Sequence, residues 1–258
     1  MPAPKLEVRH VSKSFRLPGG ELLPVVQDLS MEVPNLEFLA LLGPSGCGKS
    51  TLLRIIDGLI PCDTGSIHLD GKDVTGEPGH GRGMVFQTFD LFPWRTAVGN
   101  VEFGLEVQGV PAAERQGISQ RYINLVGLSG FEDAYPHQLS GGMQQRVGLA
   151  RAFAIRPEVL LMDEPFGALD VQTRDILQDE LLRIWEQEQK TVLFVTHGIE
   201  EAIYLADRIV VFTPRPARVE RIVSVPLPRP RREGMKTEPA FLELRREIWE
   251  VLKKGVRI

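Results

Sequence analysis

Phe38-Leu39-Ala40-Leu41-Leu42 runs directly into Gly43-Pro44-Ser45-Gly46-Cys47-Gly48-Lys49-Ser50-Thr51, and that loop runs into Leu52-Leu53-Arg54-Ile55-Ile56. The first piece is apolar throughout, the pattern of a strand buried on both faces. The last sets its aliphatic residues at helical spacing and is stopped by Gly58. Between them every fixed position of G-x-x-x-x-G-K-[ST] is met. Strand, glycine loop and helix in that order make a phosphate cradle. Glycines let backbone N–H groups close on phosphate oxygens, and the helix beginning near Lys49 adds the positive end of its dipole. Lys49 supplies a point charge for the β- and γ-phosphates, and the Ser50 hydroxyl is a ligand for Mg²⁺. Gly43 through Thr51 are the candidate nucleotide-binding residues.

Two further strand ends carry chemistry. Val159-Leu160-Leu161-Met162 ends in Asp163-Glu164, and Thr191-Val192-Leu193-Phe194-Val195-Thr196 ends in His197. Ligands of open parallel sheets bind just outside the carboxyl ends of the strands. Asp163 suits a Mg²⁺-directed role through water, and Glu164 is placed to polarise an attacking water. His197 can donate to a γ-phosphate oxygen or orient that water. Alone, an acidic pair after a strand is an ordinary helix start, and a lone histidine an ordinary surface residue. The phosphate loop is what favours the catalytic readings.

Apolar strands alternating with helical stretches, such as Val171 to Gln189, indicate a parallel α/β sheet. Before it, Leu6 to Val33 reads as antiparallel strands turning at Pro18-Gly19-Gly20. Between the phosphate loop and the acidic pair, Ala97 to Phe131 is helical, broken at Pro111 and at Gly127–Gly130. Arginine and proline gather from Arg208 to Lys236 in what reads as a solvated connector. One amphipathic helix, Phe241 to Leu252, follows it. With 258 residues, a single domain with lobes is expected.

The formal charge of −4 argues against nucleic acid as the main ligand. No apolar run approaches the roughly 20 residues that cross a bilayer. The N-terminus carries no apolar signal region, so the chain is expected to stay in the cytoplasm. Cys47 and Cys62 are too few for a disulfide framework. Beside Lys49 at a helix start, Cys47 has the neighbours of a reactive thiol, although it also suits plain loop filling.

Leu139-Ser140-Gly141-Gly142-Met143-Gln144-Gln145-Arg146 decides the class. Ser140 and the two glycines would open a helix through Ala150 to Ile155, offering N–H groups and a hydroxyl to an anion. This stretch resembles the signature sequence of ABC ATPases. Other elements of that family align with it. Gln87 looks like the glutamine joining the magnesium site to the helical lobe. Gly167-Ala168-Leu169-Asp170 resembles the D-loop, His197 the switch histidine, and Phe15 the aromatic that stacks on adenine. Gly198 departs from the family, which often has an acidic residue there.

The resemblance implies a RecA-like P-loop core with an N-terminal antiparallel β lobe, an inserted helical lobe at 88–156 and a C-terminal extension at 217–258. It implies an ATPase using ATP and Mg²⁺, with Glu164, His197 and Gln87 catalytic, and Ser50, Gln87 and Asp163 at the metal. Phe15, the phosphate loop, Ser140, Gly141, Gly142 and Asp170 would hold nucleotide. The expected partners are a second ATPase subunit, transmembrane permease subunits and, indirectly, a solute-binding protein, at the cytoplasmic face of the membrane. Leu91-Phe92-Pro93-Trp94-Arg95-Thr96 and Thr213-Pro214-Arg215-Pro216 look like the importer branch for nitrate, taurine and other sulfonates. An ABC exporter ATPase or a soluble ABC ATPase is the alternative.

Overall fold

Leu6–Arg16 (β1) and Leu22–Val33 (β2) lie antiparallel, with Leu6 opposite Val33 and Phe15 opposite Leu23. The computed structural model describes residues 3–79 and 81–255. Phe38–Leu42 (β3) is buried along its whole length and leads through the phosphate loop into Lys49–Ile56 (α1). Thr64–Leu69 (β4) pairs with β1, and Lys72–Asp73 (β5) adds a short edge, giving one sheet in the order β2-β1-β4-β5. Apolar alternation drives this lobe: Leu6, Val8, Val11, Leu29 and Ile67 face inward and are essentially inaccessible.

Arg82–Val85 (β6) is followed by Ala97–Val107 (α2), Ala112–Leu125 (α3) and Gly141–Ala154 (α4). The breaks read from Pro111 and Gly127 fall where α3 starts and just after it ends. Val159–Asp163 (β7), wholly buried, neighbours β6 and feeds Val171–Glu188 (α5).

The chain closes with Thr191–Thr196 (β8), Ile199–Leu205 (α6), Arg208–Phe212 (β9), Val219–Ser224 (β10) and Pro239–Gly255 (α7). β3 runs parallel to both β8 and β9, so its two sides are satisfied by neighbouring strands and its faces by packing. That is why Phe38–Leu42 is apolar throughout.

The described residues form two compact units: those up to Arg82 together with those from Lys190 onward, and Gly83–Gln189. The second is wider than the expected helical lobe at 88–156, because α5 is fastened to the helices before it. Arg146 Nε lies 2.9 Å from Glu180 Oε2, and the Tyr122 hydroxyl donates to Glu188 at 2.9 Å. Among the described residues no helix is long and apolar enough to cross a membrane.

The connector reading needs correction. Arg208–Phe212 and Val219–Ser224 are strands, paired antiparallel, and arginines of the stretch are built into the protein. Arg229 donates to Asp207 Oδ1 and to the Leu205 carbonyl. Arg231, 7% exposed, donates to the carbonyls of Ile203, Tyr204 and Ala206 at the end of α6. A helix C-terminus leaves carbonyls without intrahelical donors, and this guanidinium supplies them. Burial pushes the Arg231 side chain down to about 10. The last three residues of the expected extension lie outside the described residues.

Candidate active site

The phosphate loop closes on its own lysine. Lys49 is 4% exposed, and its ammonium donates to the carbonyls of Gly43 at 2.7 Å and Pro44 at 3.0 Å. The loop is thus curled around a buried positive charge with Ser45 and Gly46 at its exposed rim. Gly48 has φ +126°, and a Cβ there would stand 2.7 Å from the Val25 carbonyl oxygen. Only glycine fits both constraints. Cys47, by contrast, is 1% exposed, which removes the accessibility that a reactive thiol needs and makes loop filling its role.

Register puts His197 at the same sheet edge. Leu42 pairs with Thr196 across β3 and β8, so the phosphate loop and His197 both leave at the carboxyl ends of adjacent strands. His197 itself is exposed. Phe15 belongs to the other sheet of this unit, opposite Leu23, two residues before the Val25 that abuts Gly48. Its ring is 38% exposed, with Lys13 Nζ 5.6 Å from the centroid and that ammonium held by Asp63 at 2.8 Å. An aromatic face is therefore presented on the strand pair that buttresses the phosphate loop.

At the far end of α1, Asp57 is 8% exposed and faces the buried Arg82, whose guanidinium donates to the carbonyls of Ile56 and Glu77. Burial outweighs the attraction of Arg82 and raises the Asp57 carboxyl to about 6.

In the second unit β7 delivers Asp163, 3% exposed, and then Glu164. Glu164 has φ +45°. A non-glycine residue costs on the order of 1 kcal/mol in this region, and such strain collects at functional sites. A Cβ on Gly167 would lie 3.6 Å from Gln87 Nε2 and 3.7 Å from Glu164 Oε2. The amide of Gln87 and the carboxylate of Glu164 thus both border Gly167.

The two helix starts of this unit are also joined. Ser140 caps α4, its hydroxyl accepting from the Met143 N–H at 3.3 Å, and Asp170 caps α5, accepting from the Thr173 N–H at 3.0 Å. Those contacts from Thr173 hold the Asp170 carboxyl below the usual carboxylate range. A Cβ on Gly142 would stand 2.9 Å from Thr173 Cγ2, so the second glycine of the signature exists partly to let α4 and α5 approach. Ser140 and Asp170 are exposed, at the ends of helices that offer N–H groups outward.

A sequence profile described as ABC transporter matches residues 26–167. The chain belongs to the ABC transporter family. An uncharacterized ABC transporter ATP-binding protein of Methanocaldococcus jannaschii is 54% identical, over 98% of this chain and 92% of its own length. The nitrate import ATP-binding protein NrtD of Synechocystis is 44% identical (96% and 95%), and the taurine import ATP-binding protein TauB of Rhizobium johnstonii 45% (96% of each). Among solved structures, the ATP-binding cassette MJ0796, in a dimeric post-hydrolysis state bound to ADP and Pi, superposes with a TM-score of 0.75 at 32% identity. That match covers 85% of this chain and 98% of that one.

This ABC ATPase therefore has the RecA-like cassette fold, binds ATP and hydrolyses it. Within the first unit the expected phosphate loop and His197 share a sheet edge, and within the second Gln87 and Glu164 both border Gly167 and Gly142 packs close to Thr173. Sequence reasoning missed Thr173 and the Asp57–Arg82 pair. A hydroxyl three residues after Asp170 was the available signal for the first. For the second there was none, because Arg82 reaches Ile56 across 26 residues of chain.

Proposed function

We propose that two copies of this ABC ATPase close head to tail around two ATP molecules and drive permease subunits that import a small oxyanion of the nitrate or taurine kind. The observation that carries the hydrolytic part is that Gln87 Nε2 and Glu164 Oε2 both lie near Gly167, 3.6 and 3.7 Å from its Cβ position, after a strand end where Glu164 holds a left-handed backbone. Glu164 acts as the base for the attacking water, Gln87 orients it, and His197 donates to the γ-phosphate. Lys49 and the loop from Gly43 to Thr51 hold the phosphates, while Phe15 offers its free ring face to adenine. Ser50, Gln87 and Asp163 bring the few hard oxygen donors that Mg²⁺ takes alongside phosphate and water. When bound, the ion neutralises charge on the β- and γ-phosphate oxygens.

Two exposed helix starts support the head-to-tail arrangement. Ser140, Gly141 and Gly142 of one copy meet the γ-phosphate held by Lys49 of the other, with Asp170 beside them, and two-fold symmetry closes the pair. The dimeric MJ0796 cassette supports this reading. Similarity to nitrate and taurine import proteins along nearly the whole chain supports import of such a solute, delivered by a solute-binding protein. The cassette then works at the cytoplasmic face of the membrane.

The surface for the permease is the segment after Gln87. Trp94 is 72% exposed, with the Phe92 ring 5.5 Å away, and Phe92 rests 4.4 Å from Phe103. The segment is rigid. Asn100, fully buried, donates to the carbonyls of Phe92, Arg95 and Thr96 and accepts from the Phe92 N–H at 2.8 Å. A large indole held out by a fixed loop fits a helix of a membrane partner. Single cysteines along 91–97 should cross-link to the permease, and absence of cross-links at every position would refute the surface. Vesicles reconstituted with permease and binding protein should import nitrate, taurine or an alkanesulfonate on ATP addition. Failure with all three would refute the solute class.

A further inference from the structure

Gly198 opens α6 directly after His197 and gives the helix no side-chain cap. Another device holds this turn. The Thr196 side chain, on a residue 2% exposed, accepts from the Gly198 N–H at 2.9 Å and donates its own proton to the Glu201 carboxylate. Glu201 lies in the first turn of α6, and its Cβ stands 3.4 Å from where a Cβ on Gly198 would be. His197 therefore sits between two residues tied to one hydroxyl, with its backbone fixed on both sides and its imidazole exposed. A hydroxyl buried at a strand end needs both partners satisfied, and a bond to a carboxylate is roughly twice as strong as one between neutral groups.

We propose that Glu201, acting through Thr196, is the positioning residue for His197. The inference rests on the reading of His197 as a γ-phosphate donor. Neither Glu201 nor Thr196 touches nucleotide in this account. They set where the imidazole stands, and so affect turnover more than ATP affinity.

The test is steady-state ATP hydrolysis by the full chain. Glu201→Ala and Thr196→Val should each lower kcat roughly tenfold and leave KM for ATP within about twofold. Glu201→Gln keeps an acceptor and Thr196→Ser keeps the hydroxyl, so both should retain most of the turnover. In a His197→Ala background, Glu201→Ala should add no further loss. Should Glu201→Ala fail to fold, Thr196→Val against Thr196→Ser carries the same comparison. Wild-type turnover in His197→Ala would overturn the reading of the histidine itself. A His197→Ala enzyme that is crippled beside a fully active Glu201→Ala or Thr196→Val would overturn the positioning role alone. So would an equal loss from Glu201→Ala with and without His197.

Discussion

Gln87 Nε2 and Glu164 Oε2 flank one small space, lying 3.6 and 3.7 Å from the point where a Cβ on Gly167 would stand. The Glu164 carbonyl oxygen is 3.3 Å from the same point. A methyl group meets the Glu164 carbonyl with slight crowding, and a branched side chain adds bulk beside both groups. Gly167→Ala should keep turnover within about threefold of the native protein, whereas Gly167→Val should lower it on the order of 100-fold with ATP affinity little changed. Equal turnover in the two variants would show that the space is not needed.

Asp57 gives the protein a pH-dependent stability of its own. Its carboxyl is raised from 3.8 to about 6, so between those values the folded chain binds more protons than the unfolded one. The unfolding free energy therefore falls as pH rises through that window, by on the order of 2 kcal/mol from this group. Asp57→Asn should remove that slope and be the more stable form at pH 7.5 by about 1 kcal/mol. Denaturant melts at pH 4.5 and 7.5 measure it, and an unchanged slope in the variant would contradict the assignment.

The two cysteines should separate cleanly. Cys47 is 1% exposed within the phosphate loop, with its Sγ 3.2 Å from the Cβ position of Gly43, while Cys62 is half-buried. In the native protein a maleimide should modify Cys62 at least tenfold faster than Cys47, and denaturant should abolish the difference. Mass spectrometry of timed samples decides it. Rapid native labelling of Cys47 would mean that the phosphate loop opens far more than its buried lysine implies.

What could be read in advance follows from how local each signal is. β3, α1, α4 and α5 announced themselves because an apolar run, a glycine loop or a capping residue sits within a few positions of the element it defines. Ser140 was legible as a helix start for that reason and accepts its capping N–H, whereas Asp170 was placed by resemblance to the D-loop and its capping of α5 appears only in the structure. The strands β9 and β10 were not, since prolines and arginines around them imitate a connector and their pairing depends on β3. Arg231 reads as a surface charge until the carbonyls of α6 appear beside it. Glu164 was legible from its strand end beside a phosphate loop and Gln87 by resemblance, but that both border Gly167 appears only in the structure.

In the proposed working unit ATP closes two copies together, with Ser140 and Gly142 of each against the γ-phosphate held by Lys49 of the other. The γ-phosphate joins the copies because its charge is shared across the contact, and its loss after hydrolysis should let them part. Glu164→Gln keeps the ATP in place by lowering turnover on the order of 100-fold or more. The deciding measurement is the light-scattering mass of Glu164→Gln protein in MgATP and in ADP, with bound nucleotide assayed in both. That protein should be a dimer in MgATP, a monomer in ADP, and a monomer that still binds ATP once Ser140→Arg is added. The same mass in both nucleotides, with ATP shown to be bound, would contradict it.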